Sequence, residues 1–182
     1  MAQPYSTFHL FRLTTALALT VLGTNPVLAA ELARISSPDT QLTVVLESQH
    51  EGRLVYRVER RGEAVIAPSR LGFLLGDGRL ERNIALTGQS QRSVDETWEQ
   101  PWGGRRLTRN HYNELRASFN ERPAAGRSYA RQFDVVFRVH DDGIGFRYEF
   151  PKQNGMQQAQ IHAELTEFNP ARPTTAWWIP AF

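Results

Sequence analysis

Residues Phe133–Pro151 read FDVVFRVHDDGIGFRYEFP, and the fold turns on how that stretch is spelled. Phe133, Val135, Phe137 and Val139 alternate with Asp134, Val136, Arg138 and His140. Asp141-Asp142-Gly143 then turns the chain, and Ile144, Phe146, Tyr148 and Phe150 resume the alternation until Pro151 ends it. Successive side chains of a strand point to opposite faces. Alternation on both sides of a D-G turn therefore predicts an antiparallel hairpin with one apolar face.

The same period recurs on either side. Leu42, Val44 and Leu46, then Leu54, Tyr56 and Val58, flank a turn at His50-Glu51-Gly52. Arg61-Gly62-Glu63 predicts a second turn, Ala64–Ala67 a short strand ended by Pro68, and Gly76-Asp77-Gly78 a hairpin turn after Gly72–Leu75. Arg105–Asn120 fits one long strand or two, and Ile161, Ala163 and Leu165 alternate again. Glu121–Ser128 reads as a loop broken by Pro123 and Gly126. No window carries the i, i+3, i+4, i+7 spacing of an amphipathic helix. Short strands between turns predict an all-β, antiparallel β-sandwich.

The first thirty residues stand apart. Arg12 precedes an apolar run from Leu13 to Leu22, and Val27-Leu28-Ala29-Ala30 places small residues at the −3 and −1 positions. Residues 1–30 thus read as a secretory signal peptide cleaved after Ala29 or Ala30, which predicts a periplasmic or secreted protein. The run falls short of the roughly 20 apolar residues a spanning helix needs, so no membrane association is expected after cleavage. Residues 31–182 fit a single domain. The chain has no cysteine, so its stability must come from core burial rather than disulfides. Net charge is +2, and removal of Arg12 leaves +1. The sequence pI near 9.3 overstates that balance, because little titrates between the carboxylates and the arginines. Every basic residue except Lys152 is arginine, and they are scattered among carboxylates. Without a positive stripe, nucleic acid is excluded as an expected partner. The sequence ends TTAWWIPAF (Thr174–Phe182), an apolar run that predicts either a covering partner surface or a chain cut short.

Several blocks then carry a resemblance. DETWEQPWGG (Asp95–Gly104), RNHYNEL (Arg109–Leu115), FRVHDDGIGFRYEFP (Phe137–Pro151), LTEF (Leu165–Phe168) and TAWWIPA (Thr175–Ala181) appear in order. They resemble the N-terminal domain of glycoside hydrolase family 97, bacterial exo-acting α-glycosidases. SSPDTQLTVVLE (Ser36–Glu47), GRLVYRV (Gly52–Val58) and APSRLGFLL (Ala67–Leu75) fit the start of that domain, so the resemblance covers Ile35–Ala181. Gly104 departs from the pattern, which more often has an acidic residue there. The resemblance implies a galactose-mutarotase-like β-super-sandwich, incomplete here at its C-terminal end, followed in the family by a (β/α)₈ barrel and a C-terminal all-β domain. The barrel carries the catalytic carboxylates and decides between inversion and retention. The implied role is a non-catalytic domain of an exported enzyme hydrolysing terminal α-glucosyl or α-galactosyl residues. Its partners would be its own barrel and, through the whole enzyme, an oligosaccharide. Calcium is implied for the full-length enzyme, with no ligand carried onto this chain.

The candidate site residues fall into three groups. Trp98, Glu99 and Trp102, beside Asp95 and Glu96, suit either sugar binding, with rings stacking and carboxylates accepting hydroxyl hydrogens, or docking on a neighbouring domain; docking is preferred. Asn110, His111, Asn113 and Glu114 either line a pocket rim or form a polar strand face. Trp177 and Trp178 offer a sugar platform or a packing surface, alternate faces of a strand sending one to the core and one to a partner. Asp141 and Asp142 are better turn formers than metal ligands. The histidines lack metal-site spacing, so neither a catalytic residue nor a metal ligand is expected within the chain. The competing expectation is a stand-alone periplasmic sandwich that binds carbohydrate or protein without catalysis.

Overall fold

The computed structural model describes residues 29–123, 126–177 and 179. Most of the expected signal peptide, and Trp178, therefore lie outside the described residues. Among the described residues the strands form three antiparallel sheets. The first joins β1 (Ala30–Ser36), β2 (Leu42–Gln49), β3 (Arg53–Arg60), β4 (Glu63–Arg70) and β12 (Asn169–Pro170), in that order. The second runs β10 (Ile144–Glu149), β9 (Arg131–Val139), β8 (Leu107–Glu121), β7 (Ile84–Glu99). A small third sheet, ordered β11 (Ile161–Glu164), β5 (Phe73–Leu75), β6 (Gly78–Leu80), completes them.

The core lies between the first two sheets and follows the alternation. Val44 and Leu46 of β2, and Tyr56 and Val58 of β3, meet Leu115, Ala117 and Phe119 of β8 and Phe133, Val135, Phe137 and Val139 of β9. Aromatic rings knit the layers. Tyr56 stands 6.0 Å from Phe137 and 5.3 Å from Phe146, and Phe73 of the third sheet stands 4.5 Å from Tyr148. These tilted and edge-on arrangements suit the ring quadrupoles.

The outward faces are not simply wet. Val45 and Val55 on the first sheet, and Val136 on the second, are fully buried although they point away from the shared core. Arg57, hydrogen-bonded to Glu47 at 2.9 Å and paired with Glu59, lies opposite Val45. Arg116, bridging Asp134 and Glu149, lies opposite Val136. The arginine stems cover apolar surface while their heads stay paired.

The hairpin of β9 and β10 forms as its sequence predicts, with Val139 opposite Ile144 and the His140 N–H donating to the Gly143 carbonyl at 2.8 Å. Asp141 does more than turn the chain. It accepts the Asp39 N–H at 2.8 Å and so ties the hairpin tip to the β1–β2 turn. Four strands differ from expectation. β4 runs through Pro68 to Arg70 instead of stopping, because a register shift between Tyr56 and Val58 takes up the residue that cannot donate. β8 is one strand, and it extends to Glu121, so the predicted loop begins one residue later. β1 and β7 are strands that the alternation did not reveal.

β1 is an edge strand, and its outer edge is covered by side chains. Gln91 of β7 donates to the Arg34 carbonyl at 2.9 Å and Asn113 of β8 to the Ser36 carbonyl at 2.8 Å. Covering an edge in this way removes a template for unwanted pairing.

Candidate functional site

β7 and β8 outrun their neighbour. β9 pairs with β8 only from Asn113 onward, so the six rungs from Val94↔Tyr112 to Glu99↔Leu107 project as a two-stranded arm. A seven-residue tip, Gln100–Arg106, closes it, with the Gln100 N–H donating to the Arg106 carbonyl at 2.8 Å. A bare two-stranded ribbon is marginal in water, and here cross-strand polar pairs support it. Arg109 grips Asp95 bidentately through two 2.8 Å hydrogen bonds, which hold the Asp95 carboxyl below the usual range. Asn110 donates to Glu96 at 2.8 Å, and Arg106 to Glu99 at 2.7 Å.

The apolar residues of the arm have no such partners. Trp98 is about half exposed, Leu107 is 61 % exposed and Trp102 is 84 % exposed. The three carboxylates beside the tryptophans are each engaged by a side chain of the arm itself. A sugar hydroxyl would have to compete with an arginine or asparagine for each of them. What remains free is aromatic and aliphatic surface, the kind that a partner protein buries. Leu107 belongs to this surface and carries no signal in the sequence; only its place beside the turn exposes it.

The pleat divides the second group of candidate residues. Asn110, Tyr112 and Glu114 share one face of β8, while Arg109, His111 and Asn113 share the other. Glu114 is buried, accepting Arg92 Nε at 2.7 Å and Arg138 Nε at 2.8 Å from the flanking strands. Those two hydrogen bonds, Arg92's foremost, outweigh burial and bring its carboxyl down to about 2. Arg138 lies 4.7 Å above the Tyr112 ring. Asn113 is held by Ser93 and by the β1 edge. His111 Nδ1 is 4.0 Å from Asp141 Oδ2, near the β1–β2 turn. Asn110, on the arm, and Glu114, in the sheet, lie four rungs apart on one face.

Trp177 is 93 % exposed and lies outside any strand, so strand alternation does not govern it. Upstream, Phe168 is also exposed, stacked at 6.0 Å on Phe146. Among the described residues no three Asp, Glu, His or Cys side chains come together as a metal site. They do not make the oxygen-rich cage that calcium takes.

The family described as "Glycosyl-hydrolase 97 N-terminal" matches residues 35–182. A probable retaining alpha-galactosidase of Streptomyces bingchenggensis is 31 % identical over 91 % of this chain and 25 % of its own length. A retaining alpha-galactosidase of Bacteroides thetaiotaomicron is 31 % identical over 85 % of this chain and 21 % of its own. Among solved structures, a glycoside hydrolase family 97 enzyme from Pseudoalteromonas sp. strain K8, in complex with panose, superposes with a TM-score of 0.73. It is 33 % identical, over 82 % of this chain and 22 % of that one. The chain thus spans a quarter or less of the relatives it matches.

Proposed function

Because this chain belongs to the glycosyl-hydrolase 97 N-terminal family, we propose that it buttresses a catalytic (β/α)₈ barrel in an exported α-glycosidase, with the β7–β8 arm as its docking element. One observation carries the reading: an arm whose carboxylates are all engaged internally and whose tip presents Trp98, Trp102 and Leu107 to solvent. Such a tip suits burial against another domain better than hydrogen bonding to a sugar. The barrel would supply the two carboxylates of glycoside hydrolysis and act on terminal α-galactosyl or α-glucosyl residues. The names of the two curated relatives, both α-galactosidases, point to the first sugar, and the panose complex of the solved relative points to the second. Calcium in such an enzyme would take its ligands from beyond the described residues. Residues 31–182 act as the sandwich domain, and residues 1–30 as its export signal. β1 begins at Ala30, where the cleavage signal ends, so removing the leader leaves the first strand essentially whole.

Two measurements test this reading. The chain alone is expected to hydrolyse neither p-nitrophenyl α-galactoside nor α-glucoside, and clear turnover would refute the non-catalytic role. Mixed with the part of the Streptomyces α-galactosidase that it does not match, the chain is expected to form a complex on size exclusion. Trp98→Ala together with Trp102→Ala should abolish that complex, and a complex indifferent to both changes would remove the arm from docking.

A further inference from the structure

At the opposite end of β7 from the arm, the short 3₁₀ turn His50–Gly52 packs on the link between β6 and β7. The Asn83 N–H donates to the Glu51 carbonyl at 2.7 Å, and Glu51, Gly52 and Asn83 all adopt left-handed backbone, with φ of 63°, 66° and 57°. A Cβ on Gly52 would stand 2.9 Å from the Ile84 carbonyl oxygen, so the turn is locked in place. Left-handed non-glycine residues cost energy and persist only where the surroundings enforce them.

That lock sets up a run of charges. Arg53 lies 3.8 Å from Glu51, Glu51 3.1 Å from Arg82, Arg82 3.4 Å from Glu81, and Glu81 3.4 Å from Arg79. The run starts and ends on arginine, so three cations face two anions. Its terminal members, Arg53 and Arg79, line the same pair of adjoining hollows. Arg70 lines them too, but it is committed to Glu167. Unlike Arg70, none of the three guanidinium groups of the run donates an aligned hydrogen bond to a described residue. Half-buried Leu165, with buried Leu54 and Leu71, lines one of these hollows.

We propose that this hollow binds a small monoanionic carboxylate whose body has an apolar face, a uronic acid being the type. The carboxylate is the sixth member that the run lacks, balancing its single surplus charge. Guanidinium forks match a carboxylate in shape and charge, and half-buried Leu165 gives the ring's apolar face a surface to lie on. The site is separate from the docking arm, so the two readings stand or fall independently.

Titration calorimetry on the purified protein with sodium glucuronate, glucose and inorganic phosphate is the test. Glucuronate is expected to bind, glucose to give no heat of binding, and phosphate to bind more weakly than glucuronate. Arg53→Gln and Arg79→Gln should each weaken glucuronate by about tenfold without moving the melting temperature. Absent glucuronate binding, equal binding of glucose, phosphate as tight as glucuronate, or affinity indifferent to both substitutions would each overturn the assignment.

Discussion

Glu114 shows how much one carboxylate can organise. It sits on the outward face of β8 and accepts an arginine from each neighbouring strand, Arg92 from β7 and Arg138 from β9. Replacing Glu114 by Gln removes the charge from both hydrogen bonds and leaves two arginines facing each other. A loss of about 2 kcal/mol in urea-unfolding free energy is expected. The acid dependence follows from the direction of the shift. The Glu114 carboxyl is lowered from its ordinary 4.5 to about 2 in the folded chain. Its contribution is therefore complete above the ordinary value and is lost as pH falls towards the folded one. The wild-type protein should lose stability between those two values, and Glu114→Gln should flatten that part of the profile. Urea midpoints measured across the acid range check both statements.

At the scale of elements, the sequence was legible wherever one face of a strand is buried and the other is not. The β9–β10 hairpin, β2 and β3 are legible as alternation, because their inward residues meet the core, and the Gly76-Asp77 turn between β5 and β6 is legible from its turn residues. β7 escaped for the opposite reason. From Thr87 to Glu99 its side chains are exposed or half-exposed on both faces, and its strand state comes from fifteen rungs of pairing with β8. β4 was cut short at Pro68 because a register shift cannot be seen without the partner strand. Trp98 and Trp102 stood out as aromatics among carboxylates, but their exposure depends on the arm outrunning β9, a matter of relative strand length. The same physics yields a contrast between elements. Phe137, fully buried on β9, should cost about 4 kcal/mol when replaced by Ala. Trp98→Ala and Trp102→Ala on the arm should change stability by less than about 0.5 kcal/mol each. Chemical denaturation of the three variants measures the difference. A large loss at Trp102 would mean that the arm's tip packs on its own domain.

At the scale of the molecule, the question is what makes three sheets one unit, and much of the answer is a buried ion cluster that no sequence pattern announced. Arg131, on β9, is 1 % exposed and hydrogen-bonds both carboxylate oxygens of buried Glu121 on β8, at 2.7 Å each. It also reaches across to the third sheet, donating to Asp77 at 2.8 Å, to the Gly78 carbonyl at 3.1 Å and to the Arg79 carbonyl at 2.6 Å. One side chain thus joins the end of the two central strands of the four-stranded sheet to the β5–β6 hairpin. Removing one member of a buried pair strands the other, and costs about 3–5 kcal/mol, while replacing both by apolar groups costs far less. Glu121 also holds the nearly buried guanidinium of Arg127. Arg131→Ala should therefore destabilise strongly, and Arg131→Met with Glu121→Leu should recover much of the loss only where Arg127→Met keeps that third charge from being stranded. The triple variant still lacks the bonds to Asp77, Gly78 and Arg79. Hydrogen exchange at Phe73–Leu75 and Gly78–Leu80 should thus stay faster than wild type even where global stability returns. Wild-type protection of those amides in the triple variant would show that the third sheet is held by Phe73 and Tyr148 packing and not by the arginine.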